Sequence, residues 1–209
     1  MEKIRIEYYG HSCFKVTYGC DSALFDPYET DSVPGINLPA GIETDLVYCS
    51  HEHGDHNAKH LIAEKEPGSD PFKAEFITVP HDEAGGTLRG MNRITVLHAG
   101  QARIVHMGDI GRIPTDEEYA KLKGADIVMI PVGGHYTIDA SQAAAILSVI
   151  QPKLSILMHF RKGNRGYGVI ADINDVRKSF SCLEELDESV IEFAESEIPE
   201  RIITLEPLQ

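Results

Sequence analysis

The chain has no tryptophan, and its 209 residues include only four cysteines, Cys13, Cys20, Cys49 and Cys182. Their spacing is irregular and contains no Cys-x-x-Cys pair. This excludes a disulfide scaffold and a thiolate-rich zinc finger as the organising principle; the thiols read as reduced and mostly buried. Basic residues are scarce: 19 Lys and Arg stand against 33 Asp and Glu, a formal charge of −14. Nucleic-acid and anionic-membrane binding depend on clustered cations, so neither partner is expected. No apolar run approaches the ~20 residues of a membrane-spanning helix. Met1 leads straight into the charged MEKIRIE, which points to the cytoplasm.

Glycine and short apolar segments are plentiful. IRIEYYG, SCFKVTY and SALFDP read as a β meander, and residues 30–44 as a Gly/Pro-rich loop. DLVYCS is a strand that runs into the stretch SHEHGDH, and Asn57–Glu66 shows helical spacing in Ala58, Leu61 and Ile62. Downstream, EFITVP is a strand, and RITVLHAG with ARIVHMG forms a hairpin. DIVMIPV and LSILMHF are continuous buried strands, and RIITLEP is a final one. Thr115 with Glu118, and Asp139 with Gln142, are capping-box patterns opening helices; DINDVRKSFSCLEEL reads as a last amphipathic helix. No linker or repeat divides the chain, so residues 1–209 are expected to form one domain. The pattern suggests an α/β layered sandwich with outer helices. A domain of this length buries roughly 70% of its unfolded surface and needs no covalent staple.

One feature recurs: apolar strands end in His or Asp, at His51, His81, Asp109, His135 and His159. Core strands need only apolar residues, whereas ligands at strand ends sit where α/β sheets build their sites. In His51-x-His53-x-Asp55-His56, an extended backbone lets His51 and His53 share one ion. Gly54 permits a turn, after which Asp55 and His56 can face a second. Imidazole with carboxylate suits Zn²⁺, Mn²⁺ or Fe²⁺. Adding His81, Asp109 and His159 gives seven ligands, enough for two divalent ions, with Asp109 suited to bridge; zinc comes first, manganese or iron second.

These motifs, together with GHSCFKV, LFDPY, HDEAGGTLRGMNRI, HMGDIG, PVGGHYTIDASQAA and PKLSILMHF, resemble the metallo-β-lactamase superfamily. The similarity is to its branch of metal-dependent hydrolases related to ascorbate-6-phosphate lactonase. It implies a four-layer αββα sandwich with the site at the sheet edge. By position it places His51, His53 and His81 on one metal, Asp55, His56 and His159 on the other, and Asp109 between. His98 and His106 remain nearby alternatives to His81.

Other residues have two readings. His135 follows a strand end and could contact substrate or an oxyanion, or be a turn residue. His11 could line the pocket or be structural; Asp26 could orient a ligand histidine or simply make a turn. His60 and His98 read as surface or packing residues. Arg161, Lys162 and Arg165 form either a solvated loop or a clamp for a substrate anion, with Arg89 and Arg93 assisting. The leading expectation is a hydrolase in which a metal-bridged hydroxide attacks a small anionic ester, lactone or phosphoester and Asp55 orients the water or shuttles its proton. A phosphodiesterase or nuclease, a two-iron redox protein and a non-catalytic metal module are the alternatives. A homo-oligomer is compatible with the sequence.

Overall fold

The structure, a computed structural model, describes residues 2–66, 68 and 72–208. The meander is present as strands β1 (Lys3–Gly10), β2 (Cys13–Tyr18) and β3 (Asp21–Phe25). Alternate residues of these strands face opposite sides. Ile4, Ile6, Phe14, Val16 and Phe25 face inward, while Tyr9, Cys13 and Leu24 pack outward under the segment that carries Tyr28, Val33 and Ile36. Strand β4 (Glu43–Thr44) is followed by β5 (Leu46–Tyr48), which pairs parallel to β3.

The helix expected over 57–66 is not formed. The chain makes one 3-10 turn at Lys59–Leu61 and then strand β6 (Ala63–Glu64), parallel to β4. Ala58, the one fully buried apolar residue of that stretch, donates its N–H to Pro27 O at 2.8 Å. A tertiary anchor and a strand partner therefore outweigh a weak helical period.

Strands β7 (Phe72–Pro80), β8 (Met91–Ala99) and β9 (Ala102–His106) follow, and β8 and β9 form the expected hairpin, Ala99 opposite Ala102. Helix α1 (Asp116–Leu122) opens with the Thr115–Glu118 capping box, and after strand β10 (Ile127–Pro131), helix α2 (Ala140–Ile150) opens with the Asp139–Gln142 box. Strand β11 (Leu154–Met158) is buried throughout, as is β10. Both are covered on two faces, which explains their unbroken apolar sequences.

The last predicted helix is also corrected. Helix α3 (Ile173–Val176) lasts one turn, a 3-10 turn spans Arg177–Ser179, and Phe180 then drops into the core. The chain continues as strand β12 (Leu183–Glu185) beside β14 (Arg201–Thr204). Strand β13 (Val190–Ala194), not expected from the sequence, pairs with β1.

The result is an α/β sandwich. A five-stranded sheet, β13-β1-β2-β3-β5, faces a seven-stranded sheet, β12-β14-β11-β10-β9-β8-β7. Leu97, Ile104, Ile127, Met129 and Ile156 of the larger sheet fill the space between them. Its outer face, including Val128, Ile130 and Leu157, is covered by Ile146, Leu147 and Ile150 of α2 and by Leu122 of α1. Among the described residues, no helix is long and apolar enough to cross a membrane.

This topology sets where the site lies. Strands β9, β10 and β11 are mutually parallel, and β7 runs with β9 because β8 is antiparallel to both. The carboxyl ends of all four therefore lie along one edge. Hydrogen bonds from Arg93 N to Ser50 O (2.8 Å) and from His159 N to His11 O (3.1 Å) tie the small sheet's loops to that same edge.

Candidate metal centre

Six strand ends converge there. β3 delivers Asp26, β5 delivers Ser50 to His56, β7 delivers His81, β9 delivers Asp109, β10 delivers His135 and β11 delivers His159. Among the described residues, six non-glycine residues have positive φ, and four of them are His11, Asp26, His135 and His159. Left-handed backbone at such residues persists only where the surrounding packing enforces it, and it commonly accompanies function. Gly108, just before Asp109, has φ 54°, and a Cβ there would collide with Asn92 and Ser50. The turn that aims Asp109 inward therefore needs glycine.

The donors fall into groups. His51, His53 and His81 bring ligand atoms within 4.8 Å of one another, as do His11, Asp55, His56 and His159, and also His51, His56 and Asp109. Asp109 Oδ2 lies 3.2 Å from His159 Nε2, 3.3 Å from His56 Nε2 and 3.7 Å from His81 Nε2, between the first two groups. His53 is exposed and His51, His56, His81, Asp109 and His159 are buried, so the cluster opens to solvent on one side.

The imidazoles are oriented from behind. Asp26, fully buried, accepts from Ser50 N (2.6 Å) and Ser50 Oγ (2.7 Å) and sits 2.8 Å from His56 Nδ1. Ser50 Oγ also reaches His51 Nδ1 at 2.9 Å. Both rings thus turn Nε2 into the cluster, the arrangement that fixes tautomer and direction in metal sites. Asn92 holds Asp109 by accepting from its N–H at 2.8 Å.

The electrostatics and the donor set fit a cation site. Burial would raise the Asp109 carboxyl, yet His159 and His56 hold it well below its usual range. Burial opposes charge on His56, but Asp109 and Asp26 hold its pKa well above the ordinary value. Burial, followed by His56, pushes His51 down to about 3. His51 Nε2, His56 Nε2, Asp109 Oδ1 and both ring nitrogens of His159 are buried without a hydrogen-bond partner. Buried polar atoms are rarely left unmatched, and this many together mark a site that could hold metal. The donors are imidazoles and carboxylates only. Burial pushes the Cys49 thiol up to about 12, so it stays protonated and no thiolate contributes.

A model of the family described as the beta-lactamase superfamily domain matches residues 5–159. The chain belongs to this family. A UPF0173 metal-dependent hydrolase of Staphylothermus marinus is 26% identical over 97% of this chain and 96% of its own length. Its counterpart from Opitutus terrae is 28% identical over 75% of this chain and 85% of that one. A solved structure from Thermotoga maritima, described as a candidate zinc-dependent hydrolase of the metallo-β-lactamase superfamily, superposes with TM-score 0.79. It shares 23% identity and covers 97% of this chain and 98% of that one, which establishes the metallo-β-lactamase fold.

Within this superfamily domain, the remaining predicted residues separate. His11 lies within the cluster: its Nε2 is 3.2 Å from Asp55 Oδ2 and its ring 4.1 Å from that of His159. Burial, then the charge of His159, pushes it down to about 4. His106 points elsewhere, to Ser12 O at 2.8 Å with its ring stacked on Phe25, and His98 pairs with Glu75 at the surface; only His81 joins the cluster. His60 is exposed beside Glu29.

The basic loop does not present free charge to the centre. Arg161 pairs with Asp172 at 3.1 Å, Lys162 with Glu185 and Glu206, and Arg165 with Glu206 at 2.6 Å. Arg93 braces the ligand loop through Cys49 O at 2.7 Å. His135 is exposed in a groove of about 280 Å³ beside the centre, its ring 4.5 Å from Tyr136.

Sequence reading missed Ser50, Asn92, Tyr136 and Tyr167. The Tyr167 hydroxyl donates to Ser32 O (2.8 Å) and lies 3.2 Å from Asp55 Oδ2. A tyrosine nine residues after the end of β11 carries no local signal of such a role. Ser50, by contrast, sits directly before His51 and could have been read as its orienting hydroxyl.

Proposed function

We propose that the chain is a metal-dependent hydrolase that cleaves a small ester, lactone or phosphoester at a centre holding two divalent cations, zinc first. The observation that carries this reading is the set of buried, unpartnered imidazole and carboxylate atoms converging on Asp109. The metal-dependent hydrolases among its relatives support the same reading. His51, His53 and His81 would hold one ion, Asp55, His56 and His159 the other, with Asp109 shared. Such ions supply Lewis acidity and a water that is nucleophilic near neutral pH.

The protein's own groups do the rest. His11 and Tyr167 both contact Asp55 Oδ2 and so fix the direction of its carboxylate. Burial raises the Asp55 carboxyl, but the His11 contact and the His56 charge hold it far below its usual range, so it is ionised at neutral pH and suited to bind a cation and orient water rather than to act as a strong base. Tyr167 stays protonated because burial, followed by the Asp55 charge, raises it. Its one hydroxyl proton is shared between Ser32 O and Asp55 Oδ2. The net charge of −14 argues against a polynucleotide substrate.

The test is direct. Protein refolded with Zn²⁺, Mn²⁺ or Fe²⁺ is analysed for bound metal and assayed with p-nitrophenyl butyrate, a simple lactone and bis-p-nitrophenyl phosphate. Asp109→Ala is expected to lose metal and turnover together, by ~10³-fold or more in rate. An Asp109→Ala protein that turns over at the wild-type rate without metal would end the proposal.

A further inference from the structure

In an acidic protein, an arginine without a counter-charge stands out. Arg5, Arg112, Arg161, Arg165, Arg177 and Arg201 all pair with carboxylates. Arg93 and Arg103 donate to backbone carbonyls. Arg89 alone, among the described residues, has no carboxylate or carbonyl on its guanidinium; it lies 5.5 Å from the centroid of the Tyr136 ring.

Its position is built rather than incidental. Asp82, next to His81, is buried and accepts four backbone N–H groups, those of Ala84 (2.8 Å), Gly86 (2.9 Å), Leu88 (3.0 Å) and Arg89 itself (2.8 Å). The carboxylate closest in sequence is therefore already satisfied by the loop it shapes. Gly90 O accepts from His81 N at 3.0 Å, closing the loop onto the cluster. The loop ties the Arg89 backbone to the His81 arm, and the guanidinium lies over the Tyr136 ring. Tyr136 continues the line inward: its ring is 5.7 Å from Tyr167, whose hydroxyl meets Asp55. Arg89, His135 and Tyr136 line the groove of about 280 Å³ together with Asp82, Glu83 and Asp139; Asp82 and Asp139 are taken up by backbone N–H groups, and Glu83 is exposed.

We propose that this groove is the recognition subsite for an anionic group, a carboxylate or phosphate, on the substrate, with Arg89 as the residue that binds it and His135 beside it. The proposal rests on the hydrolase reading and names its substrate class: a small molecule whose anion lies one groove-length from the bond cleaved. Guanidinium is the cation suited to forked recognition of such oxygens, and stacking on an aromatic face leaves its edge N–H groups available.

The metal-loaded protein is assayed with mono-p-nitrophenyl succinate and p-nitrophenyl butyrate, which differ in a distal carboxylate. Arg89→Met is expected to lower the ratio of their kcat/KM values by about tenfold or more, through KM for the succinate ester. Arg89→Lys should restore part of that ratio, which a merely structural role for Arg89 would not do. Calorimetric titration with succinate and with inorganic phosphate distinguishes the two anions and does not depend on turnover. An unchanged ratio in Arg89→Met, or a fall in Lys162→Met instead, overturns the proposal. If wild type hydrolyses neither ester, the hydrolase reading fails for esters and the titration decides alone. Anion binding lost in Arg89→Met supports the subsite; binding that survives there, or is absent in wild type, refutes it.

Discussion

At the scale of single residues, the centre depends on groups that touch no ion. Asp26 shows this most clearly. Its carboxylate holds Ser50 through two hydrogen bonds and stands against His56 Nδ1, so one side chain directs both the ligand loop and a ligand ring. Asp26→Asn keeps the volume and one acceptor but removes the charge that keeps His56 Nδ1 in its donor form. The expected result is a 10- to 100-fold loss of metal affinity, about the usual effect of removing such an orienting partner. Competition with a chelator dye measures it, and circular dichroism checks that the fold is retained. Wild-type affinity in this variant would show that Asp26 is only a turn residue.

The same scale shows what was legible beforehand. SHEHGDH carries its chemistry in consecutive residues, so its histidines and aspartate could be read without a structure. Asp109 and His159 were legible because each ends an apolar strand. Tyr167 and Asn92 were not, since their roles exist only where separate loops meet. The pairing of the basic loop was not legible for a related reason. Arg161, Lys162 and Arg165 look free in sequence, but their partners Asp172, Glu185 and Glu206 lie on other segments.

At the scale of elements, local signals were right wherever the chain satisfies its own end groups. Helix α1 is such a case. Glu118 Oε2 accepts from Thr115 N at 2.7 Å, Thr115 Oγ1 accepts from Glu118 N at 3.3 Å, and Arg112 grips both carboxylate oxygens of Glu118 at 2.7 and 2.8 Å. Thr115→Ala should cost about 1 kcal/mol in urea unfolding, the ordinary value of an N-cap. Metal content should not change, because α1 packs on the outer face of the large sheet, away from the cluster. A variant that kept its stability but lost metal would contradict this separation of roles. The helices expected over 57–66 and 172–186 lacked any such box. In both places an available strand edge, β4 or β14, captured the chain instead. An edge in search of a partner is a tertiary fact that periodicity does not carry.

At the scale of the whole molecule, the chain's distant parts are joined beside the site. Glu206, just past β14, receives Lys162 and Arg165 from the loop that follows His159, and Leu208 N donates to Tyr8 O at 2.8 Å. The last residues are thus pinned to both the first strand and the His159 arm. Burial raises the Glu206 carboxyl, but Lys162 and Arg165 outweigh it and hold the pKa below the ordinary value. The folded pKa lies below the unfolded one, so the ion pairs contribute stability that is present above the unfolded carboxylate range. That contribution is lost as the pH falls through the folded pKa. Both pairs are partly exposed to solvent, so together they are worth about 1 kcal/mol. Glu206→Gln should therefore unfold at lower urea concentration than wild type near pH 7. The two curves should converge as the pH falls below about 4, where the wild-type carboxylate also loses its charge. Adding salt at pH 7 should narrow the gap in the same direction, since screening weakens exposed pairs. A difference that stayed constant from pH 7 to pH 3 would mean that Glu206 acts through packing, and the electrostatic tie between the carboxyl terminus and the His159 loop would have to be abandoned.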